Sequence, residues 1–566
     1  MMRALLPLVI AASLPGSATA VVGTAETAPP PPDSRSCAAE PLRSTGKVFY
    51  VCACDPGAAA GCVAGSDSNA GTSPATPCKS LSKAASKFVT MNGGDTVALC
   101  RGGRWSSMAA PGGWGGNARC SAGSTCDLRD YAPPWGVGSE GAPTITVAPG
   151  ADLFSLSSAH GLRFLNIAVT GGRWAFVTWD DVTDLDACNL TLSGMSIAMY
   201  VAASTARTAR IQLRQSRITK TTGSAYLGAC DECVIDSNHF GDNGTDGNHR
   251  DHNIYVGQNP KDGVYHLNHR MKVTNNELHG SSSAAKGGAC DSAQLVVHGS
   301  HSELLIENNL VWEAPGKDTS AFCYGISVGS GRDVVAHFPK LVIRRNRVFN
   351  SGTHGIDFAE APDALVEDNL VVVDFSNGQE AHGILVGEAS TPRGSDVLTG
   401  ATVRNNTVYY AMGTQGGDAV RVDTEGTGHV VTGNVVVSYS NQKENKFRCF
   451  NNGLPGTAYA LLDRNACWLT AGSAGIGAGT HLLGGGSSPP SSLFVRPGAD
   501  PATSDFTPAS RSPLIGRSST ARTCTVKGLP DQPCSSGIAI GSPAWSASDR
   551  GKVRARTPTD VGAHER

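Results

Sequence analysis

The stretch that decides the fold is LVIRRNRVFNSGTHGIDFAEAPDALVEDNLVVV, residues 341–373. It contains one pattern twice: an aliphatic residue, two variable residues, Asn, one variable residue and a second aliphatic residue, with the Asn at Asn346 and Asn369. Between the copies, the alternation in HGIDF, residues 354–358, places its Ile and Phe on one strand face and its Asp on the other. Each strand is too short to be stable alone, so successive copies must stack as the coils of a parallel β-helix.

The Asn position recurs along much of the chain. Asn tolerates a left-handed backbone at a sharp turn, and amides stacked on successive coils bond to one another. We therefore predict a buried ladder of Asn side chains, with one rung per coil. The predicted rungs are Asn238, Asn276, Asn309, Asn346, Asn369, Asn406 and Asn434, with weaker upstream copies at Asn166, Cys188 and Ser216.

The two ends of the chain differ in composition from this repeat. Residues 1–20 combine Arg3, a short apolar run and the small residues Ala18-Thr19-Ala20, a pattern typical of a secretory signal peptide. We expect a secreted protein that is extracellular or periplasmic. The predicted regions are a signal peptide at 1–20, a linker at 21–46, an N-terminal cap at 47–139, the β-helix at 140–440, and a C-terminal capping region and tail at 441–566.

Seventeen cysteines in 566 residues indicate disulfides in an exported protein. Eight of them, between Cys37 and Cys126, predict a disulfide-stapled N-terminal cap. Cys188 is the predicted unpaired cysteine because it replaces a ladder Asn. Candidate later pairs, with connectivity left open, are Cys230/Cys233, Cys290/Cys323, Cys449/Cys467 and Cys524/Cys534.

The formal net charge of −2 provides no basic field for nucleic acid. No apolar stretch is long enough for insertion into a membrane. We expect a monomer.

Residues 47–105 carry a recognisable series of segments: Val48-Phe49-Tyr50-Val51, Gly65 to Thr72, Pro77 to Leu81, Gly94-Asp95-Thr96-Val97 and Gly102-Gly103. The C-terminal region adds Ser512 to Gly516 and Asp560 to Glu565. These segments resemble those of secreted right-handed parallel β-helix proteins of the pectate-lyase-like superfamily, which includes several uronic-acid polysaccharide lyases. The resemblance implies an all-β fold, a single-stranded right-handed parallel β-helix (solenoid), with a short helix at Ser80 to Val89 closing its N-terminal end.

The middle of the chain carries a second resemblance. The sequence DHNIYVG at residues 251–257 is followed by NELH at 276–279 and then by Lys286. This is similar to a pattern in uncharacterised members of the same superfamily, in which His-Asn-Ile-Tyr-Val precedes a Lys by about one coil. There an Arg lies near the Lys, whereas here Gly287-Gly288 follows. The pattern indicates where an active centre would lie.

Strand alternation predicts a polar strip along one side of the solenoid. Strand-entry residues should form a column, and residues between buried pairs should point outward. Such a strip suits a linear, hydroxyl-rich polymer, so we expect an acidic polysaccharide as partner; the alternative is that the His residues only bond to turns. The predicted column is His252, Tyr324, His354, His382 and Asp418, and the predicted outward residues are Tyr226, Tyr255, Ser327, Asp357, Leu385 and Arg421.

Cleavage of a uronic-acid chain by β-elimination needs a cation for the carboxylate, a base for the α-proton and a proton donor for the leaving oxygen. Lys286 is the predicted base if nearby cations, Arg250 or His249, lower its pKa. Tyr255 or His252 is the predicted donor. The alternative for Lys286 is a solvated loop lysine. The predicted substrate-binding residues are Asn253, His249, Tyr226, Asp357, His354 and Arg421.

No cofactor is required by this chemistry, although calcium could bridge carboxylates through Asp242, Asp246 and Asp251. The chain lacks the paired-Asp and Gly-His-Gly motifs of polygalacturonase-type β-helix hydrolases. Two alternatives to a lyase stay open. A uronan C5-epimerase begins with the same proton abstraction, and a non-catalytic glycan-binding or adhesin-like module would use the same strip without turnover.

Overall fold

In the computed structural model, the structure describes residues 37–42, 45–108, 114–202, 208–257, 266–282, 290–317, 322–330, 335–374, 380–387, 395–411, 416–423, 426–439, 447–452, 458–470, 475, 481–485, 489–514, 523–524 and 532–533. The predicted signal peptide, most of the linker and Lys286 lie outside these residues.

Three long parallel sheets build the molecule, and from Asp152–Leu156 to Phe447–Asn452 the coils contribute one strand to each sheet in turn. The first sheet has 14 strands, in chain order Val48–Val51, Thr96–Cys100, Cys126–Tyr131, Ala159–Leu165, Val182–Cys188, Ala209–Arg214, Val234–Asp236, Lys272–Thr274, Leu305–Glu307, Val342–Arg344, Leu365–Glu367, Thr402–Arg404, Thr427–Thr432 and Ala458–Asp463. The second sheet has 14 strands, Arg104–Met108, Thr144–Val147, Ala168–Gly171, Thr191–Ser193, Arg217–Thr219, His239–Gly241, Glu277–His279, Leu310–Trp312, Arg347–Phe349, Leu370–Val373, Thr407–Tyr410, Val435–Ser438, Ala466–Leu469 and Leu482–Gly485. The third sheet has 11 strands, Asp152–Leu156, Trp174–Thr178, Ile197–Val201, Tyr226–Gly228, Ile254–Val256, Leu295–Val297, Tyr324–Val328, His354–Phe358, His382–Val386, Gly417–Val422 and Phe447–Asn452.

Equivalent positions of successive coils lie directly above one another. Ile306, Ile343 and Val366, for example, are consecutive partners in the first sheet, and all three are fully buried. Such columns of aliphatic side chains fill the interior from coil to coil. The fold is the predicted right-handed parallel β-helix. Its sheets begin at Val48–Val51 and end at Leu482–Gly485. They therefore extend beyond both ends of the stretch 140–440 that the sequence predicts as solenoid.

The Asn ladder is confirmed. Asn346 donates from Nδ2 to Asn369 Oδ1 at 3.0 Å, and the same bond is repeated at each step from Asn238 to Asn434. One more rung, Asn465, accepts from Asn434 at 3.0 Å. The rungs are almost completely buried, so each amide satisfies its neighbours in place of water.

Two details of the ladder prediction are wrong. The left-handed residue is the one before the rung, such as Arg345 (φ 57°) or Asp368 (φ 57°), because the turn is completed before the amide points inward. In the upstream coils the ladder position belongs to Ile167 and Leu190, which immediately precede Ala168 and Thr191 in the second sheet, and not to Asn166 and Cys188. Ser216 does hold it, since its amide N–H donates to Asn238 Oδ1 at 2.9 Å.

The N-terminal cap is closed by a helix at Leu81–Phe88. Ser80 caps it by accepting from the amide N–H of Lys83 at 3.1 Å, and its apolar face is buried. Phe88 packs against Phe164 of the first sheet with ring centres 5.8 Å apart. The predicted cap helix therefore covers the open end of the core.

Seven disulfides lie among the described residues, three of them within the cap and three at later predicted pairs. The prediction that Cys188 is unpaired is wrong: it bonds to Cys37, 151 residues away. Among the cysteines whose side chains the structure describes, Cys78 alone is free, and it is buried. This density of bridges fits an oxidising compartment. The pairs are Cys37–Cys188, Cys52–Cys100, Cys54–Cys62, Cys120–Cys126, Cys230–Cys233, Cys290–Cys323 and Cys449–Cys467.

Removal of the long-range bridge should have a measurable cost. Replacing Cys37 and Cys188 together by Ser should lower the free energy of unfolding by about 2–5 kcal/mol, because the bridge restricts a long loop of the unfolded chain. Denaturant unfolding measures the change, and Cys78→Ser provides the control because that thiol closes no loop. Equal stability of the double variant and the parent would contradict this account.

The C-terminal segment lies along the side of the solenoid. Leu493, Phe494 and Phe506 form a buried cluster with outward residues of the second sheet, including Phe349. This segment therefore covers the flank of several coils, whereas the sequence predicts that it covers the last coil. The remaining elements are short helices at Cys37–Ala39 and Pro490–Ser492, and strand pairs Leu267–His269 with Ser300–Ser302, Phe494–Arg496 with Asp505–Pro508, and Thr523–Cys524 with Gln532–Pro533.

No helix among the described residues has the length and apolar character needed to cross a membrane.

Candidate active site on the third sheet

The outward face of the third sheet carries the predicted strip. Tyr255 lies in the strand Ile254–Val256, whose Ile and Val are fully buried, so its side chain points away from the core. Its partners in the neighbouring strands are Leu227 and Val296. Tyr255 is thus the polar member of an otherwise apolar part of this face.

Two imidazoles contact the Tyr255 ring. His252 stacks on it with ring centres 5.5 Å apart, and His298 meets it edge to face at the same distance. His298 follows the next strand, Leu295–Val297, and is therefore brought beside Tyr255 by the pairing of the two strands. The three rings form one group, which we call the Tyr255 group.

Both imidazoles in the Tyr255 group are held neutral. His298 Nδ1 lies 2.8 Å from the Gly329 carbonyl oxygen, and His252 Nδ1 lies 3.0 Å from the Ala293 carbonyl oxygen. A carbonyl only accepts, so Nδ1 carries the hydrogen and Nε2 is left unprotonated. Burial lowers the pKa of His298 and lowers that of His252 to about 4. Each ring therefore offers a basic nitrogen at neutral pH.

Gly257 makes room for the phenol ring. A Cβ at this position would come within 2.4 Å of Tyr255 Cε1. Any side chain at residue 257 must therefore displace the ring from its place beside the two imidazoles.

This close approach gives a second prediction. Gly257→Ala should move the Tyr255 ring and, if the Tyr255 group is catalytic, lower kcat more than it changes stability. Activity assays combined with thermal melting separate the two effects. Gly316→Ala serves as control for added volume, since nothing lies within 4 Å of a Cβ there, although its φ of +76° makes some loss of stability expected. Full activity of the Gly257 variant would show that ring placement is unimportant.

Asn253, a predicted substrate-binding residue, does not point outward from the third sheet. Its side chain is completely buried and donates from Nδ2 to the His279 carbonyl oxygen at 2.9 Å, while Asn243 Nδ2 donates to its Oδ1 at 2.7 Å. Gln294 continues this amide network in the next coil. The residue precedes the regular strand, so simple alternation does not apply to it.

Tyr226 was also expected to point outward, and this is wrong. It pairs with Ile254, an inward residue, and is 1% exposed. Burial raises the pKa of its phenol well above the usual range. The predicted alternation is one residue out of phase in this strand, and Leu227, the partner of Tyr255, is its outward residue.

The three predicted calcium ligands do not converge. Asp242 lies 3.8 Å from His279 Nδ1, whereas Asp246 and Asp251 bond to each other. Burial and the neighbouring Asp246 carboxyl raise the pKa of Asp251 to about 7. The carboxylate oxygens of the three residues do not lie within 4.8 Å of one another. This geometry does not provide the oxygen cage that calcium takes, and calcium binding stays a prediction.

A second polar group lies further along the same face. Tyr324, His354 and His382 are consecutive partners in the third sheet, as the predicted column requires. His354 stacks on Tyr324 with ring centres 4.6 Å apart, and His382 Nδ1 lies 3.9 Å from the fully buried carboxylate of Asp418. The column is confirmed in this part of the sheet.

The predicted binding residues of this second group are already engaged. Arg421 donates to Asp423 Oδ2 at 2.7 Å, and Asp357 accepts from Ser327 Oγ at 2.7 Å. Asp357 is three strand steps from Tyr255, which is roughly 14 Å at the usual strand spacing. The structure therefore divides the predicted substrate-binding residues between two places.

The remaining predicted residues near the Tyr255 group are cationic or aromatic. Arg250 is exposed in the turn before His252, and His249 stacks on Phe322 with ring centres 5.0 Å apart. Lys286 lies outside the described residues. The sequence does not single out His298 as a site residue. A signal for it does exist: His298 lies one residue beyond the strand that pairs with Ile254–Val256, level with Gly257, and so comes beside Tyr255.

The neutral histidines predict how stability depends on pH. Burial lowers the pKa of His252 and His301 to about 4 and that of His354 to about 3, each below the ordinary value of about 6.5. Between these values the unfolded chain binds more protons than the folded one, so stability should fall as pH falls from 6.5 towards 4. The raised pKa of Asp251 stabilises the fold as the pH falls and so opposes this trend, but it is one group against three histidines. Melting temperatures measured across this range test the sign, and a rise in acid would contradict it.

No family model matches the sequence, and no curated protein matches it. Among solved structures, the chain is similar to pectate lyase Pel9A (12% identity, TM-score 0.43, covering 93% of this chain and 98% of that one). It is also similar to a rhamnogalacturonan lyase (15%, 0.40, 69% and 87%) and to a mannuronan C-5 epimerase module from Azotobacter vinelandii (12%, 0.35, 67% and 94%). At these identities and TM-scores the matches carry no argument about activity.

Proposed function

We propose that the protein is a polysaccharide lyase that cleaves uronic-acid-containing chains by β-elimination at the Tyr255 group. The observation that carries the proposal is the contact of one outward phenol with two neutral imidazoles, each holding its hydrogen on Nδ1. An unprotonated imidazole nitrogen is a base near neutral pH, and a phenol is a proton donor. Two of the three parts that elimination requires, the base and the proton donor, therefore lie side by side.

The proposed reaction proceeds as follows. His298 Nε2 removes the proton from the carbon next to the uronate carboxyl group, and the released electron pair forms the new carbon–carbon double bond. The glycosidic carbon–oxygen bond breaks at the adjacent ring carbon. Tyr255 donates its phenolic proton to the leaving oxygen, and the proton on His298 then returns to the phenolate through solvent. His252 stacks on Tyr255 and positions it.

The uronate carboxyl group needs a positive charge while the carbanion forms. Arg250 is the described cation nearest in sequence to the Tyr255 group, and its guanidinium is always charged. His249 lies beside it, and Lys286 of the predicted site is a further candidate. The raised pKa of Asp251 means that this carboxyl group places less negative charge here than a free carboxylate would.

Incubation of the secreted protein with polyuronates and with mixed polymers tests the proposal. Elimination creates an unsaturated product that absorbs ultraviolet light, so the ultraviolet absorbance of the mixture should rise with time. Exchange of the α-proton in heavy water without chain cleavage would replace the lyase with an epimerase. Binding with neither exchange nor cleavage on any polymer would indicate the non-catalytic module instead.

A further inference from the structure

Three aromatic rings lie upstream of the Tyr255 group, around the first strands of the third sheet. Trp174 contacts Trp179 with ring centres 6.0 Å apart and Tyr200 with ring centres 5.2 Å apart. Trp179 is 41% exposed, which is unusual for so large a side chain. We call Trp174, Trp179 and Tyr200 the aromatic platform.

The platform is held in place by polar contacts. Trp179 Nε1–H donates to Ser155 Oγ at 2.9 Å. The Arg173 guanidinium carbon lies 3.9 Å from the Trp174 ring centre, and Arg173 Nε donates to Asp152 Oδ1 at 2.7 Å. Rings fixed in this way lose little freedom when a ligand stacks on them, which favours binding.

The platform is continuous with the candidate active site. Tyr200 is the partner of Leu227, and Leu227 is the partner of Tyr255, so all three belong to one outward column of the third sheet. Two strand steps separate Tyr200 from Tyr255, which is roughly 10 Å, and the Trp174 strand is one step further. A linear chain lying along the solenoid axis would therefore meet both places.

The charge around the platform disfavours acidic sugars. Arg173 is its one described cation, and it is paired with Asp152. Asp180, which is exposed, and Asp181, which is half-buried, follow Trp179 directly. The positive charge of Arg173 is thus outnumbered by three carboxylates, which would repel the carboxyl group of a uronate. The apolar face of a neutral sugar ring can stack on an aromatic ring without this repulsion.

We propose that the aromatic platform binds neutral sugar rings of a polysaccharide chain whose uronate lies at the Tyr255 group. The placement of the uronate at the Tyr255 group rests on the proposed function, whereas the binding of neutral sugars by the platform does not. It assigns the substrate class: a mixed polymer in which neutral sugars flank the uronate. A chain composed only of uronates would place a carboxyl group on the platform.

Affinity electrophoresis of the full-length secreted protein tests the platform without requiring turnover. The gels contain gellan (uronate with neutral sugars), hydroxyethylcellulose (neutral) or polygalacturonate (uronate only). We expect retardation by gellan and hydroxyethylcellulose and weaker retardation by polygalacturonate. Trp179→Ala should weaken binding to gellan by roughly tenfold, the factor that corresponds to about 1.4 kcal/mol. Trp312→Ala, on the second sheet, is the matched control, and melting curves confirm folding of each variant.

The outcomes separate the two proposals. Trp312→Ala should leave retardation unchanged. Loss of retardation in Trp179→Ala, together with no ultraviolet product from the parent on any of the polymers, sinks the lyase and leaves the platform standing. Cleavage of a polymer by a Trp179→Ala variant with unchanged KM overturns the platform and leaves the lyase. Retardation by none of the polymers, by polygalacturonate most strongly, or to the same degree in parent and Trp179→Ala also overturns the platform.

Discussion

Tyr255→Phe is expected to reduce turnover of a cleaved polymer by about 10²–10⁴-fold, the range in which a positioned proton donor contributes. His298→Ala should produce a loss of similar size, because it removes the nitrogen that takes the α-proton. The Tyr255 side chain points away from the core, so the phenylalanine variant should melt at the temperature of the parent. Initial rates followed by ultraviolet absorbance give the measurement.

The matched control for this experiment is Tyr439→Phe, a half-buried tyrosine that follows a strand of the second sheet. It removes the same hydroxyl from a different face of the solenoid and should keep full activity. If Tyr255→Phe and His298→Ala both retain the parent's rate on a polymer that the parent cleaves, the reaction takes place elsewhere on the strip. If instead both residues act in the one proposed step, the double variant should lose little more activity than either single variant.

Asn346→Leu is expected to destabilise the fold by about 3 kcal/mol or more. The amide of Asn346 accepts from the Asn309 backbone N–H at 3.0 Å and from Asn309 Nδ2 at 2.9 Å, and it donates to the Ile306 carbonyl oxygen at 3.0 Å. Leucine removes these three buried hydrogen bonds, at a cost of about 1 kcal/mol or more for each. Asn309 Nδ2 keeps only its bond to the Val273 carbonyl oxygen, at 2.9 Å. Denaturant unfolding measures the loss.

An exposed asparagine provides the comparison for the ladder variant. Asn92→Leu changes the same amide to the same side chain in a solvent-facing turn of the cap, and it should alter stability by less than about 0.5 kcal/mol. A second variant, Asn369→Leu, should be non-additive with Asn346→Leu, because the two amides share a hydrogen bond. Additive losses, or a loss no larger than that of Asn92→Leu, would show that the ladder is not a stabilising element.

The fold was readable from the sequence because its determinant is local and repeated. Each ladder Asn is flanked by aliphatic residues at fixed offsets, so one coil such as residues 341–373 predicts all the others. The first coils were misread because Ile167 and Leu190 replace Asn there, and the amide signal is missing. Because the pattern assigns Cys188 to a ladder position, it does not predict the disulfide between Cys188 and Cys37.

The candidate site was only partly readable, because it depends on the phase of short strands and on contacts between coils. Tyr255 follows the alternation and points outward, whereas Tyr226 lies one residue out of phase and is buried. Asn253 belongs to a buried amide network that no local pattern reveals. His298 reaches Tyr255 from the neighbouring coil, 43 positions later in the sequence, so only the strand register joins them.

The bridge from Cys37 to Cys188 has a mechanical consequence. It ties the beginning of the described chain to the fifth strand of the first sheet and passes over the four strands before it. A pulling force applied at the N-terminus is therefore carried by a covalent bond directly to that strand, and the coils inside the closed loop bear none of it. Such a solenoid cannot be peeled from its N-terminal end one coil at a time, and under tension it should yield first on the C-terminal side of Cys188.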